Sequence, residues 1–347
     1  MEFLPLSGAD ESLSLGEGDS PLLPLIRLQH KFELPSVWAK DEMLNPTGSF
    51  KDRGTVVAVH RAKDSGVRKI GTVSTGNMGA STAAYGARAG MQVFVLAKED
   101  TPREKLLSAG VHGAHLVQIR GDYGELFLES YRVGSRHGIY FMNSTDPFRI
   151  EGYKIIGFEI YEQLRPRLPH YIFVPVSSGG HLIGLMKAFI ELSRAGIIPS
   201  LPVFIGVQAQ GCSPIAQAFS SGRARVSRVP APGSVAQSIN NPSPPGGNLL
   251  LHMLREHDGA VTAVTDEEIL TAQRILAREE GLFCLPASAT VLAGMLKIRD
   301  EGRFRPDDRV VLVITGSGFK NIPVLEHQAL SIHSATPASL DALIASL

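Results

Sequence analysis

The chain has 347 residues, of which 44% are hydrophobic and 20% are charged, and its formal net charge at pH 7 is zero. This composition is typical of a globular protein with room for two cores, and the lack of a basic excess argues against nucleic acid as a partner. The longest apolar runs are too short to span a membrane, and the first residues lack the features of a signal peptide. Cys212 and Cys284, the only cysteines, indicate neither a metal site nor a disulfide, so a reduced, cytoplasmic setting is expected.

The N-terminal part of the chain leads to one segment at 45–54, which reads NPTGSFKDRG. Residues 1–36 are rich in loops, and a short strand is predicted at 37–42. The Asn-Pro pair and a glycine end any strand before the segment. Ser49 is predicted to cap a helix whose start is also favoured by Asp52, three residues later. That helix carries Lys51 in its first turn.

Lys51 has two interpretations at this stage. It is either a surface cation beside Asp52 and Arg53 or a buried amine. Burial and the positive end of the helix dipole would both lower the pKa of a buried lysine amine. A neutral amine can attack a carbonyl and form a Schiff base. The turns farther along the chain distinguish the two interpretations.

After residue 65 the pattern alternates between strands and helices with short connections, which predicts parallel sheets with right-handed crossovers. The predicted strands are 69–74, 92–97, 115–120, 171–176, 203–208 and 309–315, and the predicted helices are 79–89, 102–109, 123–137, 152–164, 182–194, 266–280 and 287–299. Residues 222–248 are predicted to form a long irregular loop. We therefore expect an α/β protein with a small lobe at 65–150 and a large lobe at 1–64 plus 151–347. Ligands of such folds bind at the carboxyl ends of the strands.

Three turns at predicted strand ends carry side chains or backbone suited to a ligand. The turn at 74–81 contains Asn77, whose amide can donate to a phenolate-like oxygen, although asparagine is also common in ordinary turns. The turn at 176–182 reads VSSGGHL, and its backbone N–H groups at a helix start can hold a phosphate without a lysine. Thr315 follows the last strand, where its hydroxyl can bond a ring nitrogen. A Schiff-base lysine, a phosphate cradle, an amide and a hydroxyl together match pyridoxal 5′-phosphate.

At these residues the chain resembles the threonine synthase family, whose members are pyridoxal-phosphate enzymes. The resemblance covers roughly residues 13–325 and is most specific at 45–54. It implies the tryptophan-synthase β-like fold, fold type II, with two open-twisted parallel-sheet lobes flanked by helices. It also implies γ-elimination and β-hydration of O-phospho-L-homoserine to L-threonine and phosphate, catalysed by a cytoplasmic homodimer that binds neither nucleic acid nor membranes.

The resemblance assigns roles to single residues. Lys51 would form the Schiff base and later move protons, and Thr315 would face a ring nitrogen that stays largely unprotonated. The other implied cofactor contacts are Asn77, Ser177, Ser178, Gly179, Gly180 and His181. For His181 a purely structural role is the preferred alternative. The implied substrate contacts are Ser74, Thr75, Met78, Asn143, Ser144 and Arg149.

Some positions depart from the family pattern and leave the substrate open. The family commonly has threonine where Met78 stands. It has an arginine, lost here, in the segment that reads SINNP at 238–242. These changes favour, as an alternative, β-elimination or β-replacement on phosphoserine, serine or threonine. A ligand-binding protein without activity is a third reading, against which the intact Lys51 argues.

Overall fold

The computed structural model describes residues 3–8, 10–74, 76–99, 101–121, 123–325 and 332–347. The strands are β1 (Leu22–Pro24), β2 (Ser36–Asp41), β3 (Lys69–Val73), β4 (Gln92–Lys98), β5 (His115–Ile119), β6 (Ile139–Phe141), β7 (Tyr171–Pro175), β8 (Val203–Ala209), β9 (Ala260–Val264) and β10 (Arg309–Ile314). The α-helices are α1 (Ile26–Lys31), α2 (Lys51–Asp64), α3 (Asn77–Arg88), α4 (Arg103–Gly110), α5 (Tyr123–His137), α6 (Pro147–Leu164), α7 (Gly180–Arg194), α8 (Pro214–Ser220), α9 (Gly247–Glu256), α10 (Asp266–Glu280), α11 (Pro286–Asp300) and α12 (Leu340–Ser346).

The strands form two sheets. The smaller has the order β5-β4-β3-β6 and is parallel throughout. The larger has the order β1-β2-β10-β7-β8-β9, and only its edge strand β1 runs antiparallel to its neighbour. Both faces of the larger sheet are buried, one in a core that includes α10 and α11 and the other in a core that includes α6 and α7. Coverage on both faces explains why its central strands β10, β7 and β8 consist mostly of apolar residues.

The lysine-bearing segment is fixed to the turn after β10 by backbone hydrogen bonds. The N–H of Phe50 donates to the carbonyl of Thr315 at 3.0 Å, and the N–H of Ser317 donates to the carbonyl of Gly48 at 3.0 Å. Gly48 has a φ of +73°, a conformation that a residue with a side chain rarely adopts. These contacts place the start of α2 at the carboxyl end of the larger sheet.

The prediction that Ser49 caps α2 is wrong. Phe50 occupies the cap position in a helical conformation and makes no side-chain cap bond. The backbone of Ser49 bridges to Gly316 instead, and its buried hydroxyl has no hydrogen-bond partner among the described residues. The carboxylate of Asp52 accepts hydrogen bonds from the N–H of Thr47 at 2.7 Å and from its hydroxyl at 2.6 Å. It therefore orders the turn before the helix.

The elements that the sequence pattern missed are mostly short. They are β1, α1, β6, α8, α9 and β9, of which most have seven residues or fewer. The predicted loop at 222–248 is irregular apart from a 3₁₀ turn at Gln237–Ile239 and the start of α9. The division into lobes at 65–150 stays a prediction, although the smaller sheet lies within that range.

Within the described ranges, none of the helices has the length and apolar character needed to cross a membrane. The same residues include no group of three or more His, Cys, Asp or Glu side chains arranged to hold a metal ion.

Candidate active site

A cavity of about 450 Å³ lies where the turns after β3, β7 and β10 meet the start of α2. It takes its walls from both sheets, as expected for a ligand site at the carboxyl ends of parallel strands. The predicted site residues that line it are Lys51, Ser74, Asn77, Met78, Ser144, Arg149, Ser177, Ser178, Gly179, Gly180, His181 and Thr315. Thr75 lies outside the described residues. Asn143 is not part of the lining.

Lys51 is the first residue of α2, and its side chain is partly exposed to the cavity while protein encloses its other sides. This burial, and secondly the positive charge of Arg149, lower the pKa of Lys51 from 10.5 to about 7. Its Nζ lies 4.3 Å from the centre of the Phe50 ring. A substantial fraction of the amine is therefore neutral at pH 7, as a Schiff-base lysine requires.

The turn between β7 and α7 forms a backbone cradle at a helix start. Gly179 has a φ of +97°, and a side chain there would lie 3.1 Å from the backbone of Gly246. A side chain at Gly180 would lie 2.9 Å from the carbonyl oxygen of Ser144. The first N–H groups of a helix lack partners within the helix, and its dipole attracts anions. The cradle thus fits a phosphate that approaches the backbone closely.

The irregular loop at 222–248 holds this cradle in place. The amide of Asn241 donates to the hydroxyl of Ser178 at 2.9 Å, and the N–H of Gly246 donates to the Ser178 carbonyl at 3.0 Å. Asn240, in the segment where the family arginine is lost, lines the cavity with a buried amide oxygen that has no hydrogen-bond partner among the described residues.

His181 stacks on Phe50, with ring centres 3.9 Å apart, and meets Tyr153 edge-on at 5.6 Å. Only 8% of the residue is exposed, and neither ring nitrogen has a hydrogen-bond partner among the described residues. Burial, and secondly the charge of Lys51, hold the pKa of His181 well below its usual value of 6.5. His181 is therefore a neutral ring in the cavity wall.

Thr315 and Asn77 offer polar groups on the wall beside Lys51. The hydroxyl oxygen of Thr315 lies 2.8 Å from that of Ser288 on α11. Asn77 begins α3, directly after Gly76, whose φ of +75° sets the sharp turn from β3. Its amide nitrogen packs beside Gly316, next to Thr315 in the chain.

Arg149 is 1% exposed and contributes a buried guanidinium to the cavity. It donates to the carbonyl of Met142 at 3.1 Å and to the hydroxyl of Tyr153 at 2.5 Å, and it contacts the sulfur of Met78. Its Nε has no hydrogen-bond partner among the described residues. Because a buried cation is costly unless compensated, this arrangement favours an anionic ligand.

Asn143 does not act as predicted from the sequence. Its side-chain oxygen accepts the N–H of Val73 at 2.8 Å, and its amide nitrogen donates to the hydroxyl of Ser130 at 3.0 Å. Both ends of the amide are thus used to join the end of β3 to α5. Asn143 supports the cavity from behind.

Sequence reasoning missed Phe50, Lys98, Tyr153 and Ser288. Lys98 ends β4 at the same edge of the small sheet and lines the cavity. Tyr153 lies one helical turn after the predicted site residue Arg149 and contacts it, so its position in sequence was a usable signal. No local pattern indicated Ser288, because its contact with Thr315 joins residues 27 positions apart.

The cavity lining is strongly biased in charge. Among the described residues that line it, Lys51, Lys98 and Arg149 are cationic and none is Asp or Glu. The amine, the backbone cradle, the Thr315 hydroxyl and the Asn77 amide fit the aldehyde, the phosphate, the ring nitrogen and the 3′ oxygen of pyridoxal phosphate. Arg149, whose Nε has no hydrogen-bond partner among the described residues, is available to a second anion.

Residues 13–316 match the family described as pyridoxal-phosphate dependent enzyme. The chain is 39% identical over 322 residues to threonine synthase of Methanocaldococcus jannaschii. The aligned residues make up 92% of this chain and 80% of that protein. It is 36% identical over 341 residues to threonine synthase of Halalkalibacterium halodurans, covering 98% and 92% of the two chains. The solved structure of maize serine racemase superposes on this chain with a TM-score of 0.74 at 18% sequence identity. The superposed residues make up 95% of this chain and 94% of the racemase chain, so the two proteins share a fold. The fold is the predicted fold type II, and the chain belongs to the pyridoxal-phosphate-dependent enzymes, within the threonine synthase family.

Proposed function

We propose that this protein is a threonine synthase, a lyase that converts O-phospho-L-homoserine and water into L-threonine and inorganic phosphate. The family supports this reaction, and the cavity supports a substrate with a phosphate group. The observation that carries the proposal is Arg149, a buried guanidinium that lines the same cavity as Lys51 and makes no hydrogen bond to a carboxylate among the described residues. The cofactor phosphate has its own cradle, so Arg149 is available for a substrate anion.

The site residues divide into two sets under this proposal. Lys51, Asn77, Thr315 and the cradle formed by Ser177, Ser178, Gly179 and Gly180 hold pyridoxal phosphate. Ser74, Ser144 and Arg149 line the remaining space for the substrate, with Met78 beside the guanidinium. His181 and Phe50 form the apolar wall between the cradle and Lys51.

The reaction requires proton transfers and a leaving phosphate. The bound cofactor withdraws electrons from the α and β carbons of the amino acid that it holds. In the overall change the Cγ–O bond breaks, Cγ gains a hydrogen, and Cβ exchanges a hydrogen for a hydroxyl group from water. Lys51 Nζ, with a pKa of about 7, can take a proton from Cα and return it to a neighbouring carbon. Arg149 stabilises the negative charge on the phosphate as it leaves.

A substrate panel on enzyme loaded with cofactor tests the proposal. We expect phosphate release from O-phospho-L-homoserine with formation of L-threonine, and little turnover of O-phospho-L-serine or of L-threonine. Arg149→Lys keeps a charge but loses the planar fork, and should weaken turnover of the phosphorylated substrate more than cofactor binding. Protein that shows the cofactor's visible absorbance yet releases no phosphate from O-phospho-L-homoserine would falsify the proposal.

A second candidate reaction is β-elimination or β-replacement on phosphoserine, serine or threonine. Met78 favours it, because a thioether contacts Arg149 where the family commonly has a hydroxyl. The same panel separates the two reactions when sulfite is added with O-phospho-L-serine as a β-replacement partner. Met78→Thr should raise the preference for O-phospho-L-homoserine if Met78 sets the substrate.

We further propose that the protein is a cytoplasmic homodimer that acts on small molecules and binds neither nucleic acid nor membranes. Zero net charge argues against a polyanionic partner, and two buried free cysteines suit a reducing compartment. Exposed apolar side chains such as Leu44 and Phe319 offer contact area to a second copy. Light scattering on the purified protein measures the mass that decides the oligomeric state.

A further inference from the structure

Ser288 lies in the first turn of α11 and is fully buried behind the cavity wall. Its hydroxyl oxygen contacts three groups of the turn after β10. It lies 2.8 Å from the hydroxyl oxygen of Thr315, 3.0 Å from the nitrogen of Gly316 and 3.3 Å from the carbonyl oxygen of Gly316. Ser288 is thus the partner that holds the side chain of Thr315.

The number of hydrogens that each of these groups can donate decides the direction of the Thr315 hydrogen bond. A hydroxyl group has one hydrogen to donate and can accept two hydrogen bonds. The N–H of Gly316 can only donate, so the Ser288 oxygen accepts there. The hydrogen of Ser288 then goes to the Thr315 oxygen at 2.8 Å or to the Gly316 carbonyl at 3.3 Å. The shorter contact is the better hydrogen bond, and it leaves the hydrogen of Thr315 free to point into the cavity.

We propose that Ser288 is a positioning residue that makes Thr315 a hydrogen-bond donor to the ring nitrogen of pyridoxal phosphate. A donor at this atom stabilises its unprotonated form, because a protonated nitrogen would itself need an acceptor. The proposal rests on the cofactor of the family and not on the substrate proposed above. A failure of the substrate panel would therefore leave it standing.

The opposite arrangement is available but weaker. If the ring nitrogen carried a proton, Thr315 would accept that hydrogen bond and donate its own hydrogen to Ser288. The hydrogen of Ser288 would then have only the Gly316 carbonyl at 3.3 Å. Ser288 thereby biases the protonation of the cofactor through the geometry of a second hydroxyl.

The experiment combines a double-mutant cycle with a direct readout of the nitrogen. Ser288→Ala, Thr315→Val and the double variant are reconstituted with cofactor labelled with ¹⁵N in the ring, and ¹⁵N NMR reports its protonation. Cofactor affinity is measured on the apoproteins by absorbance titration. We expect an unprotonated nitrogen in the parent protein and a shift toward the protonated form in both single variants. We also expect cofactor dissociation constants raised about 3- to 10-fold in each, as for loss of one hydrogen bond.

The double variant separates positioning from simple support of the fold. If Ser288 acts through Thr315, adding Ser288→Ala to Thr315→Val should change the affinity less than about 2-fold and leave the ¹⁵N shift unmoved. A full additional effect in the double variant would mean that Ser288 only supports the Gly316 backbone, and would overturn the proposal. An unchanged ¹⁵N shift in folded Ser288→Ala would overturn it as well.

If Ser288→Ala does not fold, Thr315→Ser and Thr315→Val test the same contact with Ser288 intact. Thr315→Ser keeps the hydroxyl and should retain the parent nitrogen signal, whereas Thr315→Val should lose it. Equal signals in these two variants would exclude Thr315 as the donor, and with it the role of Ser288.

Discussion

Buried cations lie on two sides of α2, and the two sides treat them differently. Away from the cavity, Arg53 donates to Glu42 at 2.7 Å and to Glu159 at 2.8 Å, and Lys40 donates to Glu159 at 2.6 Å. Burial alone would raise the pKa of Glu159, but the bonds and charges of Arg53 and Lys40 lower it to about 2. On the cavity side, Lys51 and Arg149 have no carboxylate among the described lining residues.

The buried cations of this protein therefore form two groups, those that stabilise the fold and those that can bind a ligand. A buried charge is tolerated when a partner and further hydrogen bonds replace its water. Arg53 and Lys40 have such partners within the chain. Burial lowers the pKa of both Lys40 and Lys51, but Glu159 opposes the shift at Lys40, whereas the charge of Arg149 adds to it at Lys51. Arg149 itself keeps an unused N–H for an anion. The same kind of residue thus serves structure or chemistry according to the carboxylates around it.

The largest expected difference concerns the two lysines. Lys51→Ala should lower the turnover of O-phospho-L-homoserine by at least about 10³-fold, since both the cofactor anchor and the proton carrier are lost. Lys40→Met, the matched control, should lower stability while the folded enzyme stays active. The assay is phosphate release per folded molecule, with folding checked by circular dichroism. A comparable loss of turnover in folded Lys40→Met protein would remove the distinction between the two lysines.

The second-largest expected effect is the loss of stability when the ion pair between Glu42 and Arg53 is broken. Glu42→Gln should lower the free energy of unfolding by about 3 kcal/mol, because Arg53 then keeps only Glu159 as a charged partner. Urea unfolding of the apoprotein at pH 7 measures the change. The double variant Glu42→Gln/Arg53→Met should recover part of the lost stability, because the Arg53 guanidinium that loses its Glu42 partner is removed as well. A loss below about 0.5 kcal/mol in Glu42→Gln, as for an exposed pair, would contradict a structural role.

The corresponding change at the cavity should affect activity and not stability. Arg149→Met should lower kcat/KM for O-phospho-L-homoserine by about 10²-fold, in line with the loss of a charged hydrogen bond to a buried anion. The free energy of unfolding should change by less than about 1 kcal/mol, because no carboxylate is left unpaired. Steady-state kinetics and urea unfolding on one preparation provide both numbers. A stability loss as large as that of Glu42→Gln would place Arg149 with the structural cations.

The smallest effect is a shift in the pH dependence of Lys51. Only the neutral amine of Lys51 reacts with the cofactor aldehyde. The rate at which pyridoxal phosphate reacts with the apoprotein should therefore rise with pH around a midpoint near 7. The charge of Arg149 lowers the pKa of Lys51, and its removal should therefore raise the midpoint. In Arg149→Met we expect an upward shift of less than about one pH unit, measured by stopped-flow absorbance. A downward shift would contradict the sign of this interaction.

Much of the site could be predicted from local sequence. The segment at 45–54 indicated Lys51, and the three glycine-rich or hydroxyl-bearing turns lie around the cavity as expected. These turns meet at the cavity because parallel strands bring their carboxyl ends to one edge of a sheet. The Ser49 cap failed because a long-range backbone bridge to Gly316 outweighed the local capping preference.

The sequence by itself determined the alternation of strands and helices, the two-sheet α/β class, the lysine and the turns that surround it. These features depend on periodicity and on residue types within a few positions of each other. The tertiary structure decided what surrounds each charge. It paired Arg53 and Lys40 with carboxylates and placed Lys51 and Arg149 in a cavity whose described lining includes no Asp or Glu. It also turned Asn143 away from the cavity and placed Ser288 behind Thr315. Such contacts join residues that are distant along the chain, and the dielectric surroundings of an ion depend on all of its neighbours at once.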